Sequence, residues 1–383
     1  MKKLHLLFSG LLLAGGFVFT SCDKQDNPTV TDVTVADIPS DKEAGLNPAI
    51  DPNDINTVIP NFNYTVNEEK GATVIRLDMT GVRDPFTNDW VELYGTKHPK
   101  QNVWLSLDDQ PKGFSITKVT NDKKSAVDLI FLVDNSGSMG QEANAVARDI
   151  IAWSAKLSQT IDIRFACVGY SVSGTINGAF DFADATALAD YLNRSTGTSR
   201  TMGYGGDYAA ELEAAANEMN QDRVWDECGV MALKYADKYL RFRNGANRIY
   251  VNFTDEPNQP NGKEYYSTEW VKEIANWPST KGTIHTVYSA YNTWTQTINY
   301  NEWPWNLSDY TGGTTLYADS NFSNVSLDDL PVSGALLNSY IIRFTNVKGV
   351  FDGKPHRVKI TVKSQSPNGE ILAEKVYEIT FTK

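Results

Sequence analysis

The chain has 383 residues, is 41% hydrophobic and carries a formal net charge of −12 at pH 7. That length and apolar content suffice for a sizeable core and for two ordinary domains. The acidic balance excludes nonspecific attraction to phosphate backbones, so nucleic acid is not an expected partner.

Residues 1–21 read as an export signal: Lys2 and Lys3, an apolar run from Leu6 to Phe19, then the small Thr20 and Ser21 before Cys22. The run is shorter than the roughly 20 residues of a membrane span, and no later segment qualifies. Phe19-Thr20-Ser21-Cys22 resembles a bacterial lipobox of the Bacteroidetes type, with Phe19 in place of the commoner Leu. The resemblance implies acylation of Cys22, which makes the protein a lipoprotein of the cell envelope, at the outer membrane or cell surface. Membrane contact is expected through that anchor only.

Residues 22–60 are rich in Asp, Asn, Thr and Pro without a lasting hydrophobic period, which predicts a flexible tether. From 61 to 124 short alternating runs follow, among them Thr73 to Leu77, Trp90 to Tyr94, Val103 to Leu107 and Phe114 to Thr117. The same texture returns over 339–383, with Tyr340 to Phe344, His356 to Val362 and Val376 to Phe381, and Asn368-Gly369 as a hairpin turn. Neither flank holds enough strands to stand alone. Together they predict one β-sandwich interrupted by an inserted domain over 125–338.

Inside the insert, continuous apolar runs alternate with helical stretches, the pattern of a doubly wound, mostly parallel α/β sheet covered on both faces. Val127 to Val133 is the clearest central strand, and Ile161 to Val168, Arg248 to Phe253 and Gly282 to Tyr288 are further ones. Helices are predicted over Asn144 to Leu157, Tyr208 to Met219, Asp226 to Arg243 and Ser326 to Leu337. Cys167 and Cys228, the only cysteines besides Cys22, are too few for a disulfide framework or a thiolate metal site and are expected as buried thiols.

Directly after the central strand stands Asp134-Asn135-Ser136-Gly137-Ser138. A carboxylate followed by two hydroxyls at every second residue aims three oxygens at one centre when the backbone turns out of the strand, and hard cations prefer oxygen. The competing reading is a Ser/Gly turn in which Asp134 caps the next helix.

The stretch from Asp128 to Met139 closely resembles the first strand and metal motif of the von Willebrand factor A family, shared with integrin I domains. The resemblance implies a metal-ion-dependent adhesion site binding Mg2+, or Mn2+ or Ca2+, and demands acidic or hydroxyl residues on two later loops. Asp255, after the strand ending at Phe253, matches the carboxylate of the third loop. For the middle loop Asp207, Thr201 and Glu211 compete, with Asp207 preferred on its likeness to a Gly-Gly-Asp pattern. A second metal is not expected, because Gln141 and Glu142 stand where integrin β chains carry two Asp residues.

Five of the nine tryptophans lie between Tyr265 and Tyr310. Trp294, Trp303 and Trp305 are candidates for an aromatic rim gripping a ligand beside the ion, or else they pack the flank of the sheet. The function expected is binding, not catalysis: a protein partner presenting an Asp or Glu carboxylate, or a glycan, captured through the ion. The alternatives are a metal-dependent hydrolase and a structural subunit of a surface or fimbrial assembly. The hydrolase is the weaker, since no His lies near the motif loops.

Overall fold

The computed structural model describes residues 34–119, 126–172, 175–289 and 302–382. The export signal, Cys22, the start of the expected tether and Trp294 lie outside them. No helix among the described residues is long and apolar enough to cross a membrane.

The flanks interleave into two four-stranded antiparallel sheets. The first sheet joins β1 (Phe62–Glu69), β2 (Ala72–Met79) and β5 (Phe114–Lys118) to β13 (Tyr340–Phe344), in the order β1-β2-β13-β5. The second joins β3 (Val103–Leu107) and β4 (Gln110–Lys112) to β14 (His356–Ser366) and β15 (Gly369–Ile379), in the order β15-β14-β3-β4. Leu77, Phe114, Ile342, Ile360 and Tyr377 meet in one core between the sheets. Each sheet therefore needs strands from both ends of the chain. The insert leaves after β5 and returns into β13, whose Tyr340 pairs with Lys118, so the two crossings run side by side.

Two local expectations change. Trp90 to Tyr94 forms no regular strand and contributes one bridge, Trp90 to Arg83. The β14–β15 hairpin turns through Pro367 and Asn368, because Ser366 already pairs with Gly369.

The tether expected over 22–60 is not free where it is described. From residue 34 onward it lies along the sandwich: Asp41 accepts from Lys112 Nζ at 2.8 Å and from Gly113 N at 3.1 Å. A Cβ on Gly113 would meet the Ser40 carbonyl at 2.2 Å, so the closeness depends on that glycine. Asn56 pairs with the backbone of Leu372, Ile59 is buried, and Tyr377 Oη donates to the carbonyl of Pro60. Polar composition suggested a coil; a few apolar anchors and backbone pairings hold it down.

The insert is an α/β domain with seven strands in the order β12-β11-β10-β6-β7-β8-β9. They are β6 (Val127–Asp134), β7 (Ile163–Ser171), β8 (Thr175–Ala183), β9 (Gly203–Gly205), β10 (Asn247–Thr254), β11 (Thr283–Ser289) and β12 (Thr315–Ala318). The helices are α1 (Ala143–Ser158), α2 (Ala185–Asn193), α3 (Ala209–Met219), α4 (Gly229–Tyr239), α5 (Thr268–Lys272), α6 (Asn306–Thr311) and α7 (Val332–Leu337). Every residue of β6 is buried, as a central strand covered on both faces requires. Leu129, Phe131 and Val133 pack with α1, α2 and α7, while Ile130 and Leu132 pack with α3 and α4.

The helix expected from Ser326 to Leu337 is divided: a short 3-10 turn covers Leu327–Asp329 and α7 begins after Pro331. β8 runs antiparallel to β7, and β9 follows β8 in parallel, so both run against β6. That reversal decides where the loops around β9 fall.

Candidate metal centre

β6 ends at Asp134, at the edge of the sheet where the parallel strands β6, β10 and β11 all finish. The chain turns there because Asp134 accepts from Ser136 N at 2.9 Å through Oδ1, closing an Asx turn. The turn brings Ser136 Oγ to 2.9 Å from Ser138 Oγ, and Ser138 Oγ donates to Asp255 Oδ1 at 3.1 Å. Thr254, the last residue of β10, donates through Oγ1 to Asp134 Oδ2 at 2.9 Å. Asp134 and Ser136 are buried, Ser138 is exposed, and Asp255 is half-buried, so the group opens to solvent on one side.

The middle loop departs from expectation. Gly203 is level with Gly178 and, through β7, with Val133, whereas Gly205 is level with Phe131. The chain therefore descends from Thr201 at the centre's edge of the sheet, and Asp207 emerges exposed toward the opposite end. Glu211, in the first turn of α3, is also exposed. Thr201 is the one of the three that reaches the loop after β6: Asn135 Nδ2 donates to its Oγ1 at 3.0 Å. Two glycines permit this, for a Cβ on Gly169 or Gly178 would meet the Thr201 carbonyl at 2.3 or 1.9 Å.

Another carboxylate reaches this edge of the sheet. Glu227, buried just before α4, lies beside Ser136 and raises the pKa of Asp134 by charge repulsion. The helix expected from Asp226 begins later, at Gly229, which leaves Glu227 in the loop before it.

The electrostatics are those of crowded acids. Burial pushes Asp134 up to about 7, against the pull of the Ser136 N–H and hydroxyl, and Glu227 and Asp255 push the same way. Glu256 also rises to about 7, through burial and then Asp255, Glu227 and Asp226. Burial raises Glu227, Asp255 and Glu142 as well. Glu142 accepts from Ser289 Oγ at 3.3 Å through Oε1, while its buried Oε2 has no hydrogen-bond partner among the described residues.

Hard oxygen donors, surplus negative charge and an unpartnered buried carboxylate oxygen fit a divalent cation. Among the described residues no group of three or more His, Cys, Asp and Glu gathers at ligand spacing. The centre is instead of mixed type, with Ser136 and Ser138 hydroxyls beside Asp134.

The tryptophans divide. Trp305 is 9% exposed and packs edge-on against Tyr288 with ring centroids 5.2 Å apart, so it belongs to the flank of the sheet and not to a rim. Trp303 is half-buried against it at 5.0 Å. Trp225, two residues before Glu227 in the chain, is 70% exposed. Cys167 and Cys228 are buried free thiols, each pushed up to about 12 by burial. His98 and His356 lie in the sandwich, and His285 lies near the start of β11, at the far end from Asp134.

No family model and no curated protein matches the chain. Among solved structures it is similar to BatB from Bacteroides thetaiotaomicron, with 13% identity over 55% of this chain and 96% of that one and a TM-score of 0.33. It is also similar to the pilus adhesin SpaC from Lactobacillus rhamnosus GG in an open conformation, with 9% identity over 82% and 55% and a TM-score of 0.34. A third is proximal thread matrix protein 1 of the mussel byssus, solved with a zinc-occupied MIDAS motif, at 14% identity over 60% and 49% and a TM-score of 0.35. What those proteins bind is a property of theirs.

Proposed function

We propose that the protein is a surface-anchored binding module of the von Willebrand factor A type, which captures a partner through a divalent cation at the end of β6. The observation that carries the reading is the convergence of Asp134, Ser136 and Ser138 with Asp255 and Glu227 at one solvent-open edge. Asp134 and the two serine hydroxyls would hold the ion, with Mg2+, Mn2+ and Ca2+ as the candidates. Asp255, Glu227 and Thr201 would steady it, directly or through water.

A cation there supplies a strong positive charge in an acidic neighbourhood, so an acidic chain can take an acidic ligand, such as a side-chain carboxylate of a protein partner or an acidic glycan. Attachment through an acylated Cys22 would keep the module at the bacterial envelope. Binding is favoured over hydrolysis because among the described residues no imidazole stands beside the carboxylates to serve as base.

The test is calorimetric titration of MgCl2 and MnCl2 into the full chain, followed by a pull-down from surface extracts with and without EDTA. Asp134→Ala is expected to remain folded and to lose both the titration heat and the EDTA-sensitive capture. An affinity for both ions left unchanged by that substitution would reject the proposal.

A further inference from the structure

Asn135 stands between Asp134 and Ser136 and is 2% exposed. Its backbone N–H donates to the Tyr170 carbonyl at 2.8 Å, which pins the loop to β7. Its side chain goes to β8: Asn135 Nδ2 donates to Asn177 Oδ1 at 2.8 Å, and Asn177 Nδ2 donates back to Asn135 Oδ1 at 2.7 Å. The second N–H of the Asn135 amide goes to Thr201 Oγ1 at 3.0 Å. Thr201 is in turn held by Tyr191 of α2, whose Oη donates to its carbonyl at 3.1 Å. Both N–H groups and the carbonyl of that amide are thereby used.

β8 is shaped to present the partner amide. Gly169 pairs with Gly178 and Tyr170 with Ile176, which leaves Asn177 as the extra residue of a β-bulge, without a Cα partner on β7. A bulge re-aims a side chain that regular pleating would send elsewhere. Gly169 keeps the space open, since a Cβ there would meet Asn135 Nδ2 at 2.6 Å. A bulge, a glycine and a reciprocal amide pair thus converge on one side chain of the loop that carries Asp134, Ser136 and Ser138.

We propose that Asn177 is a positioning residue for the cation centre, acting through Asn135: the amide pair holds the loop after β6 in its ligating shape before an ion arrives. This rests on the cation reading above. Without an ion the loop lies among Asp134, Glu227 and Asp255, whose like charges favour moving apart. The clamp opposes that separation with neutral groups, which add no charge to the crowd. In fixing Asn135 it fixes the directions of the residues on both sides, and ligands held in place bind without the entropy loss of ordering them.

Calorimetry with MgCl2 on the full chain tests this as a double-mutant cycle. Asn177→Ala and Asn135→Ala should each weaken Mg2+ about tenfold, and the double variant should be no weaker than Asn135→Ala alone. Losses that add overturn the proposal. Asn177→Ser, too short to bridge to Asn135, serves if the alanine variant does not fold. Hydrogen exchange in EDTA reads the clamp without the ion: Asn177→Ala should speed the amides of Asn135 and Ser136 about tenfold while those of β11 keep their rates. Equal acceleration in both regions marks a general loss of stability and also overturns it. An unaltered chain that takes up no Mg2+ removes the cation reading and this proposal with it; Mg2+ uptake indifferent to Asn177→Ala removes this proposal alone.

Discussion

Asp207 and Glu227 carry the same charge, yet of the two it is Glu227 that lies beside Ser136 and Asp134. Spacing along the chain favoured Asp207 because a Gly-Gly-Asp turn precedes a helix. What spacing could not carry is strand direction: once β9 runs against β6, the residues after it leave the centre and Thr201, before it, arrives. Glu227→Gln should therefore weaken Mg2+ binding by about tenfold in calorimetry, while Asp207→Asn should leave it unchanged. An equal loss in both variants would contradict the geometry. Trp225 makes a separate prediction. At 70% exposure its ring adds little to the core, so Trp225→Ala should keep the melting temperature and the Mg2+ affinity but reduce partner capture. A fall in melting temperature would mark the ring as packing instead.

At the scale of single elements, legibility followed burial. β6 could be read because both its faces are covered, which forces a continuous apolar run; β8 could not, because Gly178 and Asp181 interrupt its pattern for reasons of contact. Gly178 makes room for the Thr201 carbonyl, and Asp181 receives Arg241. β6 also carries a polar residue that periodicity does not explain. Asp128 is fully buried, and its carboxylate takes Arg164 at 2.9 Å and Arg243 at 2.9 Å. Removing the carboxylate takes the ion pair from Arg164 and leaves Arg243 with Asp162 alone, so Asp128→Ala should cost about 3 kcal/mol in urea unfolding. A loss under about 1 kcal/mol would class the pairs with ordinary surface bridges.

In the sandwich, His356 at the start of β14 ties Asp108 at 2.7 Å to Asp352 at 3.1 Å. Burial alone would lower its pKa, but the two carboxylates outweigh it and the net shift is upward from 6.5. A raised folded pKa means that protonation favours the fold: the contribution is complete below the unfolded value of 6.5 and is lost as pH rises through the folded one. Asp108 and Asp352 are shifted down from 3.8, so their share is present above that value and disappears as pH falls through their folded pKa values. Sandwich stability attributable to this cluster should peak between those limits. His356→Gln should flatten the fall in denaturation midpoint on the alkaline side, and an unchanged profile would remove the histidine from the account.

Over the whole molecule, the split of the sandwich ties the α/β domain to it at two points. Each sandwich sheet needs strands from both flanks, and the two crossings are joined where Val119 N donates to the Ser339 carbonyl at 2.8 Å. Across the junction Asn61 Nδ2 donates to the Gly282 carbonyl at 3.0 Å and Asn63 to the Ala246 carbonyl. Insertion was legible because neither flank had strands enough; these cross-domain bonds were not, since asparagines in an alternating strand carry no sign of what lies opposite. If the bonds couple the two parts, heating should give a single calorimetric transition even though the cation would touch only the α/β domain. Mg2+ at a hundredfold excess over its dissociation constant contributes about 2.7 kcal/mol and should raise that one midpoint by roughly 4 °C. The shift should vanish in Asp134→Ala. In a double Asn61→Ala, Asn63→Ala variant the trace should divide, with Mg2+ moving only one of two peaks. Two peaks in the unaltered protein, of which Mg2+ moves one, would show that the junction transmits nothing and that the sandwich serves as a passive mount.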